Sequence, residues 1–461
     1  MSSENNKQQV TAVFDIGKTN KKFFLFNEEF QEVHKEYSHF DEITDEDGHP
    51  AENLSALQDW LKSLFNRILK SQKFDVKAIN FSTYGASFVH LDENGQPLTP
   101  LYNYTKVLDK DLIELFTEKH GPLSDILKST GCSDLSMLNS GLQLFWLKHK
   151  KPEIFKKIKY SLHLPQYLSY IFTGIPLSEY TSIGCHTLLW DYVKKDYHQW
   201  VYDEELHKIL PPIVSTETSI NMNYNGKRIK IGVGIHDSSA ALLPYVRSIK
   251  KEFLLVSTGT WSIVFNPFTK RPISESDDKD TINYMRINGK PVKARRLFLG
   301  NEYKIQVKLL DAHFGVEDDY HRHVKFDYDT YFELTKDFQY HFAWESISDE
   351  NMPEQTLMPF AKYEHAYHQL MIELVKLQMK SIKYILDGTD IKHIYIDGGF
   401  SNNDLYVTLL SHYFRDKKLR TTDASLGSAL GAAISISDKK LNSKFLKKNY
   451  SLKKHVPFII A

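Results

Sequence analysis

The stretch Val13-Phe14-Asp15-Ile16-Gly17-Lys18-Thr19-Asn20, running into Phe23-Phe24-Leu25-Phe26, decides the fold because it recurs. Half a chain later Leu254-Leu255-Val256-Ser257-Thr258-Gly259-Thr260-Trp261 runs into Ser262-Ile263-Val264-Phe265. Apolar β-rich runs that stop at Gly and hydroxyl residues and then resume predict hairpins, with glycine supplying backbone angles that other residues avoid. Each turn offers backbone N–H groups and threonine hydroxyls, and a concave set of N–H groups forms an anion site without a lysine. Either turn alone reads as an ordinary hairpin. Two at equivalent places predict a duplicated nucleotide clamp, with opposed turns holding ATP between two lobes.

Gly17-Lys18-Thr19 imitates the end of a P-loop, which requires a glycine five residues before the Gly-Lys pair and a helix after it. The first position is Ala12, and Lys22-Phe23-Phe24-Leu25-Phe26 reads as a strand. The P-loop is rejected.

The 461 residues exceed the size at which one core keeps growing and predict two domains, 1–246 and 247–461. A hydrophobic content of 41% with 25% charged residues belongs to a soluble globular chain. Lys+Arg and Asp+Glu both number 58, so net charge gives no argument for nucleic acid, and the expected partners are small molecules. Only two cysteines, Cys132 and Cys185, fit a reducing compartment. No 18-residue apolar run and no apolar leader core occur, so neither a membrane nor a secretory route is expected, and the location predicted is cytoplasmic. The lysines at 439, 440, 444, 447, 448, 453 and 454 read as a solvated basic segment.

Hydrophobic periodicity predicts helices at Leu54–Lys70, Leu142–His149, Pro165–Phe172, Tyr363–Leu386 and Ser425–Ile436, and strands at Ala78–Phe81 and His393–Ile396. Strands mixed with covering helices make each half α/β. Ser274–Asp280 is polar enough for a surface loop, and His313, Asp318, Asp319, His321 and His323 gather without clear metal-ligand spacing.

Candidate chemistry follows strand ends. Ile235-His236-Asp237-Ser238-Ser239-Ala240 reads as a strand, a carboxylate and a helix of small residues. A helix N-terminus favours the ionised form of Asp237, which could take a proton from a substrate hydroxyl, or could simply cap the helix. Asp15, after the first apolar strand, suits Mg²⁺ through few protein oxygens, its alternative being a turn-stabilising residue. Asp397-Gly398-Gly399-Phe400-Ser401-Asn402-Asn403 reads as a strand end, a glycine turn and an Asn-capped helix able to approach the adenosine end of a nucleotide or its phosphates. The absence there of Gly-x-Gly-x-x-Gly argues against NAD. The run Ala424–Gly431 is a small-residue helix face that close packing explains at least as well as ligand contact.

Together these motifs resemble the FGGY family of carbohydrate kinases, and within it the rhamnulokinase and fuculokinase branch, over about residues 12 to 435. Asp15, Gly17 and Thr19 match the branch's Asp-x-Gly-x-Ser/Thr phosphate loop, with Lys18 and Asn20 inside it and Lys22 where an arginine is common. Thr83-Tyr84-Gly85-Ala86-Ser87-Phe88-Val89 is similar to its Thr-Trp-Gly-Val-Asp-Tyr-Val, and His236-Asp237-Ser238 to its His-Asp-Thr. Ser257 to Ser262 resembles Ser-Ser-Gly-Thr-Trp-Ser, the second phosphate loop with Thr258, Gly259 and Thr260, while Gly398, Gly399 and Asn402 resemble the adenosine motif.

The resemblance implies two actin-like ATPase (ribonuclease H-like) lobes, ATP and Mg²⁺ as cofactors, Asp237 as catalytic base, and Tyr84, Gly85, Ser87, Tyr104 and His236 on the sugar side. It also implies a possible homodimer. The expected reaction phosphorylates a terminal hydroxyl of a 6-deoxyketohexulose or a pentulose. Two departures each cost a carboxylate: Ser87 and Tyr104 stand where the branch has aspartates, with Lys106 in the place of an arginine. Losing both changes which sugar hydroxyls are read. The alternative from another class is a nucleotide-dependent regulatory protein of the actin-like group, against which Asp15 and Asp237 both weigh.

Overall fold

The computed structural model describes residues 7–270, 277, 280–336, 340–347 and 359–458. The chain forms two units. The first comprises Met1–Ser248, Thr269–Val292 and Leu426–Asn442, and the second Ile249–Phe268, Lys293–Ser425 and Ser443–Ala461. Most of the polar Ser274–Asp280 stretch lies outside the described residues.

The first unit is built on a mixed sheet in the order Ser219–Tyr224, Lys227–Gly232, Phe74–Thr83, Gln8–Ile16, Lys21–Asn27, Glu32–Ser38. The sequence hairpin is its centre: Gln8–Ile16 runs antiparallel to Lys21–Asn27 and parallel to Phe74–Thr83. Side chains alternate across a strand. Phe14, Ile16, Phe23, Leu25, Ile79 and Phe81 therefore share one face, where they pack with Leu57 and Leu61 of the helix Leu54–Leu69 and Leu168 of the helix Leu164–Thr173. That alternation sends Val13, Asp15 and Asn80 to the other face. There Asn80 Nδ2 donates to the Ala432 carbonyl at 2.8 Å and Ser435 Oγ at 2.9 Å, both on the helix Gly427–Ser435.

That helix packs closely on the helix Asp237–Ser248, and its small residues explain how. A Cβ built on Gly431 would lie 1.8 Å from the Ala240 carbonyl oxygen. Gly431→Ala should therefore force two helix backbones apart and cost about 1–3 kcal/mol, the range for overpacked sites. A lower denaturant midpoint checks this, and an unchanged one would contradict the contact. A second core in the same unit gathers Phe116, Leu144, Phe145, Leu189 and Trp200 around the helices Lys110–His120 and Ser140–Lys150.

The second unit repeats the central pattern. Leu254–Thr258 runs antiparallel to Ser262–Asn266 and parallel to His393–Gly398, with Pro291–Leu297 added antiparallel beyond the hairpin and Lys418–Thr421 parallel on the other side. The 24-residue helix Tyr363–Leu386 lies against this sheet, and its Tyr367, Leu370 and Leu374 join Leu254, Val256, Ile394 and Ile396 in the core. Antiparallel hairpin and parallel third strand thus occur twice, at the places the duplicated motif marked.

Candidate active site

In the first unit the strand Gln8–Ile16 delivers Asp15 to the face covered by the helix Gly427–Ser435. Its carboxylate is buried and accepts a hydrogen bond from Ser428 Oγ at 3.0 Å. Lys22 is its partner across the antiparallel ladder. Burial pushes the Asp15 carboxyl up to about 6, outweighing Lys22 and the Ser428 hydroxyl, and the charge of Asp237 pushes the same way.

The turn that follows is closed by Gly17 N–H donating to the Asn20 carbonyl at 2.9 Å, which leaves Thr19 and Asn20 exposed at the tip. Because Lys21–Asn27 is a strand, Gly17-Lys18-Thr19 opens no helix and is not a P-loop. Lys18 Nζ is paired with Glu42 at 2.6 Å and stands 3.5 Å from Glu52. Lys18 thus contributes its backbone to the turn, while its side chain is engaged elsewhere.

The strand Phe74–Thr83 ends beside the same turn, with Tyr84 N–H donating to the Ile16 carbonyl at 3.2 Å. A Cβ on Gly85 would come within 3.0 Å of His236 Cδ2 and Nε2, so glycine is what lets the backbone lie against the imidazole. Next, Ala86 takes a positive φ of 63°, and Ser87 is buried. Ile235–His236 pairs in parallel with Ser82 and Thr83, and the chain turns at once into the helix Asp237–Ser248, placing Asp237 in its first turn. Asp237 Oδ1 lies 3.1 Å from His236 Nε2 and accepts from Ser238 Oγ at 3.1 Å, and about a third of its side chain stays exposed. The His236 ring is buried, stacks on Tyr284 at a 5.9 Å centroid distance, and keeps Nδ1 without a hydrogen-bond partner among the described residues.

Tyr104 packs against Tyr84 with ring centroids 5.8 Å apart, and burial raises its phenol. Lys106, in the place of the branch's arginine, is consumed structurally: its Nζ sits 2.8 Å from Asp45 and 2.5 Å from Asp47, over the rings of Trp146 and Tyr102. Asp15, Lys22, Tyr84, Gly85, Tyr104, His236 and Asp237 are thus gathered in one unit. Sequence reasoning missed Ser428, on a small-residue face open to either packing or ligand contact, and Lys21 and Glu52, which look like surface charges. Both of the latter are buried.

In the second unit the register places Thr258 opposite Gly398. Thr258 Oγ1 accepts from Phe400 N–H at 3.0 Å and donates to the Asp397 carbonyl, so this threonine ties the two predicted nucleotide motifs together. Gly398 has φ 80°, and a Cβ there would strike the Thr258 carbonyl oxygen at 1.8 Å, whereas Gly399 faces open space. Gly300, at the start of the helix Leu299–Phe314, touches the Gly259 carbonyl in the same way.

Between these elements opens a cavity of about 780 Å³, lined by Gly259, Thr260, Tyr303, Gly399, Asn402 and Asn403 among others. That volume suits a nucleotide-sized ligand. Asp318 and His321 line the same cavity. No three His, Cys, Asp or Glu side chains among the described residues gather as metal ligands, in the His313–His323 stretch or elsewhere. No described helix is long and apolar enough to cross a membrane.

Residues 10–242 match the FGGY family of carbohydrate kinases, N-terminal domain, about half of the chain. The chain belongs to this family. Its curated relatives include a rhamnulokinase of Halalkalibacterium halodurans, 25% identical over 267 residues that span 54% of this chain and 52% of that protein. A xylulose kinase of Lactococcus lactis is 27% identical over 40% of this chain and 38% of its own length. The chain thus matches about half or less of the length of these FGGY relatives.

Solved structures match over more than nine-tenths of the chain. A carbohydrate kinase from Novosphingobium aromaticivorans superposes with a TM-score of 0.80 at 20% identity, covering 98% of this chain and 95% of its own. Plasmodium falciparum glycerol kinase with ADP gives 0.69 at 19% identity, covering 93% and 89%. The fold is that of FGGY kinases, two actin-like ATPase lobes, as the family resemblance implied.

Proposed function

We propose that the protein is an ATP-dependent kinase that phosphorylates a terminal hydroxyl of a ketose, a 6-deoxyketohexulose of the L-rhamnulose or L-fuculose kind or a pentulose. The observation that carries this reading is the pair of carboxylates in the first unit: Asp15 buried on the face covered by the helix Gly427–Ser435, and Asp237 partly open at a helix N-terminus beside His236.

In this assignment Asp237 takes the proton of the sugar hydroxyl as its oxygen bonds to the γ-phosphorus and the bond to ADP breaks. His236, next to it, and the Tyr84–Gly85 backbone line the sugar side with Ser87 and Tyr104. The Lys18 and Thr19 amides of the Gly17–Asn20 turn and the Lys22 ammonium meet phosphate oxygens. In the second unit Thr258, Gly259 and Thr260 shape the other phosphate turn, Gly399 and Asn402 border the cavity assigned to adenosine, and Gly398 sets the turn before them. Asp15 fits Mg²⁺: a buried carboxylate near a second one carries negative charge that its neighbours leave under-compensated, and a hard dication with oxygen ligands answers that need. When bound, the ion neutralises charge on the phosphates.

Lys106 is committed to Asp45 and Asp47, and Ser87 and Tyr104 carry no charge, so the site favours a neutral polyol over a charged sugar. The test is ADP formation from Mg²⁺-ATP against L-rhamnulose, L-fuculose, D- and L-xylulose, and D- and L-ribulose. One or two ketoses should raise turnover far above the sugar-free rate. Silence on every ketose with ATP still bound would replace this reading with that of a nucleotide-dependent regulatory protein.

A further inference from the structure

Lys21 and Glu52 are charged residues buried beside the first phosphate turn. Lys21 Nζ has three protons and three acceptors: the Lys18 carbonyl at 2.9 Å, the Gly17 carbonyl at 3.3 Å, and Glu52 Oε1 in an ion pair. The other Glu52 oxygen accepts from Tyr84 Oη at 3.0 Å. A buried ion pair is weak evidence for stability, since apolar residues of similar volume often serve as well. Its position is what sets this one apart.

In a trans peptide the carbonyl and the following N–H point in opposite directions across one plane. Lys21 draws the Gly17 and Lys18 carbonyls toward itself, so the N–H groups of Lys18 and Thr19 are turned the other way, out of the turn. Two successive outward amides are what an anion site needs. Glu52 completes the device by fixing both the ammonium and the Tyr84 hydroxyl, and Tyr84 precedes the Gly85 that lies against His236.

We infer that Lys21 and Glu52 are positioning residues: their buried pair orients the amides that receive the nucleotide phosphates and sets that turn in register with Tyr84 on the sugar side. This rests on the kinase reading only for the identity of the sugar, because the phosphate part requires nucleotide binding alone.

The experiment compares the wild type with Lys21→Met/Glu52→Met, which removes both charges together and leaves neither buried alone, and introduces Tyr84→Phe into each. Affinities for Mg²⁺-ATP and for adenosine are measured by titration without sugar. The double variant should bind Mg²⁺-ATP about tenfold more weakly, the loss expected for a misdirected charge-assisted contact, while adenosine affinity stays unchanged. A merely structural pair would weaken both ligands alike or neither, and either result overturns the inference. Tyr84→Phe should weaken Mg²⁺-ATP binding in the wild type and add nothing in the double variant; equal effects in both backgrounds would break the coupling to the sugar side. If the double variant does not fold, Tyr84→Phe alone decides, since unchanged Mg²⁺-ATP affinity on losing that hydroxyl refutes the link. A wild type that binds Mg²⁺-ATP and phosphorylates no ketose removes the kinase reading and leaves these titrations valid.

Discussion

Asp237→Asn should leave Mg²⁺-ATP affinity near that of the wild type and lower turnover about 10³-fold, within the range that a positioned general base contributes. The amide keeps the shape of the carboxylate and can still accept from Ser238 Oγ, now 3.1 Å from Oδ1, so the helix Asp237–Ser248 need not move. What it loses is the ability to take a proton. A drop in kcat with little change in KM for ATP is the signature of a group that acts in the transition state.

His236 sharpens the test. Its Nε2 lies 3.1 Å from Asp237 Oδ1, so an N–H donated from there orients the carboxylate. His236→Asn should weaken turnover by a smaller factor, about tenfold, because an orienting hydrogen bond contributes less than the base itself. Full activity in Asp237→Asn would exclude this aspartate as the base, and equal losses in the two variants would mean that the pair acts as one unit.

The parts of the fold legible in the sequence were those fixed by local pattern. The two hairpins were readable because strand, glycine turn and strand are contiguous, and Asp237 was readable because strand, carboxylate and small-residue helix follow one another within eight residues. Helix limits moved by only one or two residues: Leu54–Lys70 was expected and Leu54–Leu69 is observed. Ends fray, and the last turn is set by caps rather than periodicity.

Long-range contacts were not legible. Ser428 reaches Asp15 across 413 positions, and nothing in Leu426-Gly427-Ser428 distinguishes a hydroxyl aimed at a carboxylate from one aimed at solvent. Lys21 sits beside Lys22 in a strand whose alternation sends one side chain to each face; the sequence shows two lysines and not which of them is buried. Lys106 falls where an arginine stands in the related branch, but only the structure reveals that Asp45 and Asp47 hold it. Local chemistry is written in neighbouring residues, whereas the charge balance of a site is written in its tertiary contacts.

Asp15→Asn should abolish most turnover and, at neutral pH and above, make the protein more stable. The sign follows from burial. The Asp15 carboxyl titrates at about 6 in the folded chain against an ordinary 3.8, so the folded state prefers its protonated form. Stability from that preference is fully present below 3.8 and is lost as pH rises through about 6, where ionisation of the buried group costs about 3 kcal/mol. The asparagine carries no charge to desolvate, so its gain should be about 2 kcal/mol or more at pH 8 and vanish near pH 4, read as denaturant midpoints at the two pH values. A gain independent of pH would mean that desolvation is not the cause.

The same charge is what Mg²⁺ requires. Protons compete with the ion for Asp15, so the Mg²⁺ concentration needed for half-maximal turnover in the wild type should rise about tenfold for each pH unit below about 6. Asp15→Asn should remove that dependence and lower kcat about 10²-fold, the scale on which one electrostatic stabiliser contributes. Asp237 raises the Asp15 carboxyl through its own charge, so in Asp237→Asn the rise in Mg²⁺ requirement should set in at a lower pH. An unchanged Mg²⁺ titration in Asp15→Asn would take this carboxylate out of the metal site. An onset that does not move in Asp237→Asn would show that the two carboxylates act independently.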